Sequence, residues 1–596
     1  MAYDLIIKNG RHFNGTGGPS AIRHLGIRGG KVAAVSEAPL DEAGCREVID
    51  AHGKWVMPGF LDTHTHYDAE LLASPGLKES VRHGVTTVTF GSCSIGMVCS
   101  DAEDCSDMFT RVESIPREHV LPLLRKTKTW NTPAGYVAHL ESMPLGPNTT
   151  AFLGHSDLRV SVMGLSRAVS RDIQPSEDEM RRMEQVLEQG LDAGLLGLST
   201  MTTKWDKLDG DRFRSASLPT TYARWKEYAR LNKILRRRGK IHQGAPNIVT
   251  KLNTFLFLGA SLGLFRKKLK TTLITLADAK ADGFTHRVVG KLAHFCNRFL
   301  GGDFRWQALP VPFEVHADGI DLVVFEEFGA GQAALHLKDE MQRNQLMLDP
   351  SYRRWFRKNY ERRFGPRVWQ RDFHDAHIVG CPDASLVGKS FGAVADARGI
   401  HPVDCFLDLV VEHGRRLRWR TLIANHRRHR LEKIVQEKGA VLSFSDAGAH
   451  IRNMAFYNFP LRMLKLVHDA EREGRSFMSV EKAVWRLTGE LADWFDLDAG
   501  HLRQGDRADL VIVDPQGLDE SLGAYAEAPI PEFNGLMRMV NRNDAAVTAT
   551  VINGRIAYRE GAFAADYGLA QGYGRFLRAG EHPARETEAA SMAQAA

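Results

Sequence analysis

The sequence predicts an α/β fold in which a (β/α)8 TIM-type barrel carries a β-sandwich domain built from both chain ends. Three observations support this: β-like runs at both ends, apolar runs alternating with helical runs between them, and polar residues where the apolar runs stop. A chain of 596 residues is too long for one minimal domain. It suits a barrel with an insertion and a small accessory domain.

The two chain ends are rich in β-like patterns. Residues 3–50 alternate short apolar runs with turn signals such as Asn9-Gly10, and residues 508–513 and 546–556 repeat the pattern. We therefore predict one discontinuous β-sandwich domain formed by residues 1–54 and 500–570. The Ala- and Glu-rich residues 571–596 have little to bury, so we predict a tail that is either disordered or an oligomer contact.

The central region, residues 55–499, alternates strand-like and helical runs, which is the pattern of parallel βα units. The predicted barrel strands are residues 55–61, 85–90, 150–153, 194–199, 240–242, 271–276, 421–424 and 440–444. Ser176 opens a capping-box pattern before an amphipathic run to Leu191, which predicts a helix. The interval from about 281 to 420 exceeds one helix, so we predict an inserted lid or subdomain after strand six.

The apolar segment from Leu252 to Phe265 allows more than one interpretation. It ends in Arg266-Lys267-Lys268 and is too short and too rich in glycine to span a bilayer. A buried helix of the barrel is the preferred interpretation. A segment lying in a membrane interface, or an apolar entrance for substrate, remains an alternative.

Composition limits the class of protein. With 43% hydrophobic and 25% charged residues, the chain is typical of a soluble globular protein. The net charge of +6 is modest and no nucleic-acid-binding motif accompanies the basic clusters, so we expect solvated helix faces and no nucleic-acid partner. Seven cysteines without paired spacing argue against a disulfide framework, and no signal peptide or transmembrane segment is visible. We expect a cytoplasmic protein.

Polar residues end most of the predicted strands. His64 and His66 end the first, and alternate residues of a strand share a face, so their imidazoles should converge. Barrel enzymes place catalytic groups at the carboxyl ends of their strands. The corresponding residues of the later strands are Cys93, His155, His242, Asp278, His426 and Asp446. Imidazole, thiolate and carboxylate ligands suit zinc, and zinc-bound water ionises near neutral pH.

The motifs together resemble the N-acyl-D-amino-acid deacylases of the amidohydrolase superfamily, over about residues 3 to 560. The matching stretches are Met57 to His66, Gly84 to Cys93, Gly154-His155-Ser156, Gly197 to Thr200, Ser445-Asp446 and Gly505 to Val513. The resemblance implies a metal-dependent amidohydrolase with one or two Zn²⁺ ions. It would cleave the amide bond of a small N-acyl amino acid, or of a similar N-acyl compound, by metal-hydroxide attack.

The resemblance also implies roles for individual residues. His64 and His66 would hold one metal, Cys93 would bridge as a thiolate, and His242 would be a further ligand. Asp446 would be the general acid/base and also contact the metal. Where the family reads His-x-Lys after strand six, this chain reads Asp278-Ala279-Lys280. We predict Asp278 as the substitute ligand; the alternative is that it caps a helix and only one metal site survives.

Three residues are candidates for substrate binding. His155 follows strand three, and Lys280 and Arg452 could pair with a substrate carboxylate, although surface salt bridges explain both equally well. Two other functions remain open. A cyclic amide or imide hydrolase, or a deaminase, would use the same metal site. An inactive scaffold or binding protein is disfavoured because the candidate ligands are all present. We expect a homo-oligomer.

Overall fold

The computed structural model describes residues 2–246, 252–362 and 367–581. These residues form a mixed α/β structure, which confirms the predicted class at that level. The strands are β1 (Leu5–His12), β2 (Ala21–Arg28), β3 (Lys31–Ser36), β4 (Glu47–Asp50), β5 (Trp55–Pro58), β6 (Phe60–Asp62), β7 (Val85–Phe90), β8 (Asn148–Ala151), β9 (Leu153–Gly154), β10 (Gly197–Met201), β11 (Ile241–Ala245), β12 (Lys270–Ile274), β13 (Asp303–Gln307), β14 (Phe313–Asp318), β15 (Ala376–Gly380), β16 (Arg418–Ala424), β17 (Ala440–Val441), β18 (Leu510–Val513), β19 (Ala526–Ile530), β20 (Leu536–Val540), β21 (Val547–Ile552), β22 (Arg555–Arg559) and β23 (Ala562–Phe563).

The helices lie mainly between the parallel strands and in the segment between β13 and β17. They are α1 (Glu70–Ala73), α2 (Lys78–Val81), α3 (Ala102–Phe109), α4 (Arg117–Thr127), α5 (Pro133–Ser142), α6 (His155–Met163), α7 (Leu165–Ala168), α8 (Glu177–Asp192), α9 (Trp225–Arg238), α10 (Leu252–Ser261), α11 (Thr285–Phe299), α12 (Gly329–His336), α13 (Glu340–Leu348), α14 (Pro350–Tyr360), α15 (Phe391–Arg398), α16 (Pro402–His413), α17 (Arg428–Gln436), α18 (Phe459–Arg472), α19 (Val480–Leu487) and α20 (Gly489–Phe495). The predicted capping box is present at the start of α8, where Ser176 and Glu179 bond each other's backbone.

Both chain ends contribute to one large sheet. Its main path runs β23-β22-β21-β18-β5-β1-β2-β3, with β4 beside β1. Strand β5 joins the halves because it pairs parallel with β1 and antiparallel with β18. The sheet therefore includes residues 55–58, which the sequence had suggested as the start of the first barrel strand.

The parallel strands form two sets whose carboxyl ends meet. One set is β6-β7-β8 and the other is β9-β10-β11-β12-β13-β17. The sets connect beside β8, where Phe152 N–H donates to Phe90 O at 3.0 Å. They also connect beside β17, where Ser443 Oγ accepts from Thr63 N–H at 2.8 Å and donates to Leu61 O at 2.7 Å. Residues that follow β6 and β17 are thereby held next to each other.

The structure corrects the position of strand seven and of the insertion. Residues 421–424 do form a strand, but β16 pairs antiparallel with β14 and β15. The parallel partner of β12 and β17 is β13, so the inserted structure follows strand seven and not strand six. Strand β13 was hard to recognise because it contains two charged residues, Asp303 and Arg305. The structure pairs these with Lys268 and Glu490.

The first residues of the predicted tail are packed against the parallel strands. Arg575 O accepts from Thr149 N–H at 2.9 Å, and Leu577 N–H donates to Thr149 O at 2.8 Å. Phe576 and Leu577 are buried. The prediction of a tail from 571 is therefore wrong for residues 571–581, and residues 582–596 lie outside the described part. Among residues 2–246, 252–362 and 367–581, no helix is both long and apolar enough to pass through a bilayer.

Candidate metal centre

His64 and His66 lie immediately after β6 and are almost fully buried. The backbone of this turn is bonded to the segment that follows β17, since His66 N–H donates to Ala447 O at 2.8 Å and Asp446 N–H donates to His64 O at 3.2 Å. Gly448 permits the close approach, because a Cβ there would lie 2.6 Å from His66 O. The two imidazoles thus project from the same turn.

Cys93 follows β7 in a sharp turn. Gly91, Cys93 and Ser94 all have positive φ, and a Cβ on Gly91 would lie 2.4 Å from Phe152 O. The turn brings Cys93 Sγ to 3.4 Å from His64 Nε2. Ligand atoms of His64, His66 and Cys93 all lie within 4.8 Å of one another.

Asp446 completes the cluster from the other set of strands. It has φ of +59°, and its Oδ1 lies 3.3 Å from His66 Nε2 and 3.6 Å from His64 Nε2. Its side chain is 16% exposed, whereas those of His64 and His66 are 1% and 3% exposed. Of these side chains, the Asp446 carboxylate is the one most open to solvent.

Two further side chains orient the imidazoles. Gln307, at the end of β13, places Oε1 2.5 Å from His64 Nδ1. The Glu113 carboxylate, buried at the turn after α3, lies 3.2 Å from His66 Nδ1. A proton on His64 Nδ1, donated to Gln307 Oε1, leaves the His64 Nε2 lone pair pointing at the cluster. Glu113 contacts His66 Nδ1 as a neighbouring carboxyl group without hydrogen-bond geometry. Sequence analysis missed both residues.

Burial and neighbouring charge shift the pKa values of the cluster. Burial lowers the pKa of His64 to about 4, which keeps its imidazole neutral. Burial also opposes the charged form of His66, yet Glu113 and Asp446 outweigh it and raise the pKa of His66 well above its ordinary value. For Asp446 burial is outweighed by His66 and His64, which lower its pKa to about 2. The cluster therefore holds an ionised Asp446 carboxylate, a neutral His64 and a protonated His66, and a metal ion bound there would displace the Nε2 proton of His66.

The donor set fits a metal ion. Two imidazole nitrogens, one thiol and one carboxylate are the ligand types that zinc accepts in proteins. Without such an ion, burial raises the pKa of Cys93 to about 12. A bound cation reverses this preference, because it stabilises the thiolate directly.

His242 does not join the cluster. Within β11 alternate residues face opposite sides, and Gln243 is the residue that faces the cluster. Gln243 Oε1 accepts from Cys93 N–H at 3.2 Å, and its Nε2 donates to Ser92 Oγ at 3.1 Å. His242 instead contacts Thr200 Oγ1 at 3.0 Å and packs against the ring of Phe257 on α10. The prediction of His242 as a ligand is therefore corrected, because its neighbour Gln243 faces the cluster and His242 points to the other side of β11.

Asp278 is also corrected, because an arginine already neutralises it. Arg427 Nε donates to Asp278 Oδ2 at 2.7 Å, and the arginine's Nη2 donates to the other carboxylate oxygen. Burial opposes ionisation of the carboxyl, but Arg427 holds the pKa of Asp278 below its ordinary value. Its backbone N–H is bonded to Asn425 Oδ1. Asp278 is thus part of a structural ion pair at the end of β12.

His155 is buried in a separate polar network. Its Nε2 lies 2.7 Å from Glu227 Oε1 and its Nδ1 lies 2.8 Å from Thr220 Oγ1. Arg159 bonds the other oxygen of Glu227. Since the His155 side chain is fully buried and both ring nitrogens have partners, the structure does not place it where a substrate would reach it.

Lys280 and Arg452 are both paired with carboxylates of the chain. Lys280 donates to Asp375. Arg452 donates to Asp318 Oδ2 and to Glu527 Oε2, and both of these Arg452 distances are 2.8 Å. These are the salt bridges that the sequence left as the alternative to substrate binding. A substrate carboxylate would have to displace them.

Comparison with known proteins finds similarity to amidohydrolases. Residues 47–216 match the model of an amidohydrolase family. An uncharacterised protein of Mycobacterium tuberculosis is 54% identical over 98% of this chain and 96% of its own length. The N-acyl-D-glutamate deacylase of Alcaligenes xylosoxydans xylosoxydans is 34% identical over 33% of this chain and 37% of its own. The structure of an N-acyl-D-glutamate deacylase from Bordetella bronchiseptica, complexed with zinc and a phosphonate inhibitor, has 19% identity and a TM-score of 0.62, over 97% of this chain and all of that one.

Proposed function

We propose that this chain, which matches an amidohydrolase family over residues 47–216 and is similar to an N-acyl-D-glutamate deacylase, hydrolyses the amide bond of N-acyl amino acids in a metal-dependent reaction. The observation that carries this proposal is the convergence of His64, His66, Cys93 and Asp446 at the meeting ends of β6, β7 and β17. The deacylase relative and the zinc-bound deacylase structure support the choice of substrate class and of zinc.

We infer that the two sets of parallel strands close into a (β/α)8 barrel with the cluster at its carboxyl-end mouth. The hydrogen bonds that Ser443 makes to both Thr63 and Leu61 support closure on one side, and the contact between Phe152 and Phe90 supports it on the other. Active sites of barrel enzymes occupy this end.

We propose that the cluster holds one zinc ion. His64, His66 and Cys93 would be its ligands, with Asp446 beside it on the solvent side. A zinc ion there supplies Lewis-acid activation of water and of the scissile carbonyl. A second ion has fewer candidate ligands, because His242 faces α10 and Asp278 pairs with Arg427.

The roles of the chain's own residues follow from their positions. Asp446 accepts a proton from the attacking water and returns it to the departing nitrogen, since its ionised carboxylate is the most accessible of the cluster's side chains. Gln307 and Glu113 hold the imidazoles of His64 and His66 in the orientation that turns Nε2 toward the reacting groups. Phe444 packs against His64 at 4.8 Å and excludes water from that side.

A substrate panel tests the proposal. Zinc-loaded full-length protein is assayed with N-acetyl-D-amino acids, their L enantiomers, and cyclic amides such as hydantoin and dihydroorotate. We expect turnover of an N-acyl amino acid, with the D enantiomer preferred, and its loss after chelation and recovery on zinc addition. Turnover of the cyclic amides alone would replace the deacylase proposal by ring hydrolysis at the same site.

A further inference from the structure

A face made by the α10–β12 turn and helix α11 carries exposed aromatic side chains that the hydrolase site does not use. We name it the Phe265 face and define it by six residues: Leu264, Phe265, Phe284, Val288, Phe295 and Phe299. Phe265 is fully exposed, and Phe284 and Phe299 are 68% and 67% exposed. Several large apolar side chains on one surface of a globular protein mark a site of interaction.

The exposed apolar side chains of α11, together with Phe284 just before its first residue, occupy one stripe of the helix. At about 100° per residue, Phe284, Val288, Phe295 and Phe299 fall within about 60° of one another. The opposite side of α11 is buried through Ala293 and Cys296. The stripe therefore points away from the protein core, and the rings of Phe295 and Phe299 pack together at 5.2 Å.

The turn that carries Phe265 lies beside the end of α11. A Cβ added to Gly263 would lie 2.6 Å from Gly301 O, so the 263 and 301 turns touch. Lys268 and Asp303 form an ion pair of 3.0 Å across the same two segments. Leu264 and Phe265 therefore lie in a turn next to the C-terminal end of the α11 stripe.

Basic residues border this apolar face. Arg266, Lys267 and Lys268 follow Phe265 directly, and Arg287, Lys291 and Arg298 lie on one flank of the α11 stripe, within about 60° of one another. Beyond that flank is a groove of about 430 Å³ between α11 and α17. It is lined by Lys291, His294, Lys433, Gln436, Glu437 and Lys438. Three acidic residues lie close to this border: Asp282, which accepts a hydrogen bond from Phe284 N–H, Asp303, which pairs with Lys268, and Glu437 in the groove.

We propose that the Phe265 face binds the surface of a membrane that contains anionic lipids. Phenylalanine and leucine side chains would enter the acyl boundary, and the flanking lysines and arginines would contact anionic headgroups. A second copy of the chain is a poorer occupant, because a two-fold interface would place this basic border against itself. This inference is independent of the hydrolase proposal.

Vesicle sedimentation with the full-length protein tests the proposal. We expect binding to vesicles of phosphatidylcholine with phosphatidylglycerol, little binding to phosphatidylcholine alone, and release by high salt. The double variant Phe265→Ser/Phe299→Ser should weaken binding by at least about tenfold. Lys267→Gln/Lys291→Gln should weaken it by about fivefold for each removed charge.

A matched control removes exposed apolar side chains elsewhere. Met341→Ser/Leu569→Ser changes two residues that are 70% and 78% exposed and lie outside the Phe265 face. This control should bind vesicles like the unaltered chain, and all variants should keep the same thermal unfolding. Equal binding by the Phe265→Ser/Phe299→Ser variant, or no binding by the unaltered chain, would overturn the proposal. So would a dimer that dissociates in that variant while no vesicle binding is seen, since a second copy would then cover the face.

Discussion

The polar side chains at two groups of strand ends have different surroundings. At the metal corner, defined as the ends of β6, β7 and β17, the four side chains of His64, His66, Cys93 and Asp446 converge. At the β11–β12 edge, defined by His242 and Asp278, the polar side chains turn to other partners. Both groups were singled out by the same feature, a polar residue where an apolar strand stops, and the family resemblance implied their roles as ligands.

The difference shows what makes such a residue a ligand. Whether a strand residue faces the metal corner depends on its position in the strand, because neighbouring residues point to opposite sides. In β11 the residue that faces the metal corner is Gln243 and not His242. Charge compensation decides the second case, because a buried carboxylate that already has an arginine partner would lose that pair if it turned to an ion. At the metal corner, by contrast, the buried carboxylate Glu113 lies beside an imidazole and raises its pKa.

The largest effect that would sharpen the comparison is expected at Asp446. Asp446→Asn should lower kcat by about 10²- to 10⁴-fold, the range that general acid/base groups contribute, while the fold and bound zinc are retained. The matched variant Asp278→Asn changes the other strand-end aspartate in the same way. It should leave kcat within about twofold and lower only the thermal stability, because it weakens the pair with Arg427. An active Asp446→Asn enzyme would remove Asp446 from the proposed role.

The next effect is expected at Cys93. Substitution of a residue that hydrogen-bonds a metal ligand typically lowers metal affinity by about 10- to 100-fold. Cys93→Ala should weaken zinc binding by more than this, because it removes a ligand atom itself. Titration of the apo protein with zinc against a competing chelator measures this. Cys105→Ala, another buried cysteine, serves as the control and should bind zinc normally. Unchanged affinity in Cys93→Ala would take the thiol out of the metal corner.

A smaller effect is expected at Glu113, which we assign to positioning His66. Glu113→Gln keeps the shape but removes the carboxyl group that contacts His66 Nδ1, so zinc affinity should fall by about tenfold. Glu103→Gln, on the exposed side of α3, should bind zinc like the unaltered chain. A Glu113→Gln protein with full affinity and full kcat would show that the carboxylate serves packing alone.

Much of the metal corner could be predicted from the sequence because its ligands are local to recognisable strands. His64 and His66 follow an apolar run, and Asp446 follows another. Glu113 carried no such signal, since it lies in a turn after α3 without a strand to place it. Gln307 would have been a candidate if its strand had been recognised, but Asp303 and Arg305 made β13 look exposed.

The fold was predictable in its class and less so in its connections. Residues 55–61 read as one strand, yet they split into β5 and β6 at Gly59 and enter different sheets. A Cβ on Gly59 would lie 2.1 Å from Thr86 Oγ1. The sequence pattern does not predict this close contact, because Gly59 and Thr86 are far apart in the chain. The same limit explains why residues 421–424 were assigned to the parallel strands, since a short apolar run does not specify its partner.

The metal content of the full-length protein and of matched variants tests the central claim most directly. Elemental analysis after zinc loading and desalting should give one equivalent in the unaltered chain and in His242→Asn and Asp278→Asn, and close to none in His64→Asn/His66→Asn. Two equivalents in the unaltered chain, falling to one in His242→Asn or Asp278→Asn, would contradict the account by placing the β11–β12 edge within the metal site.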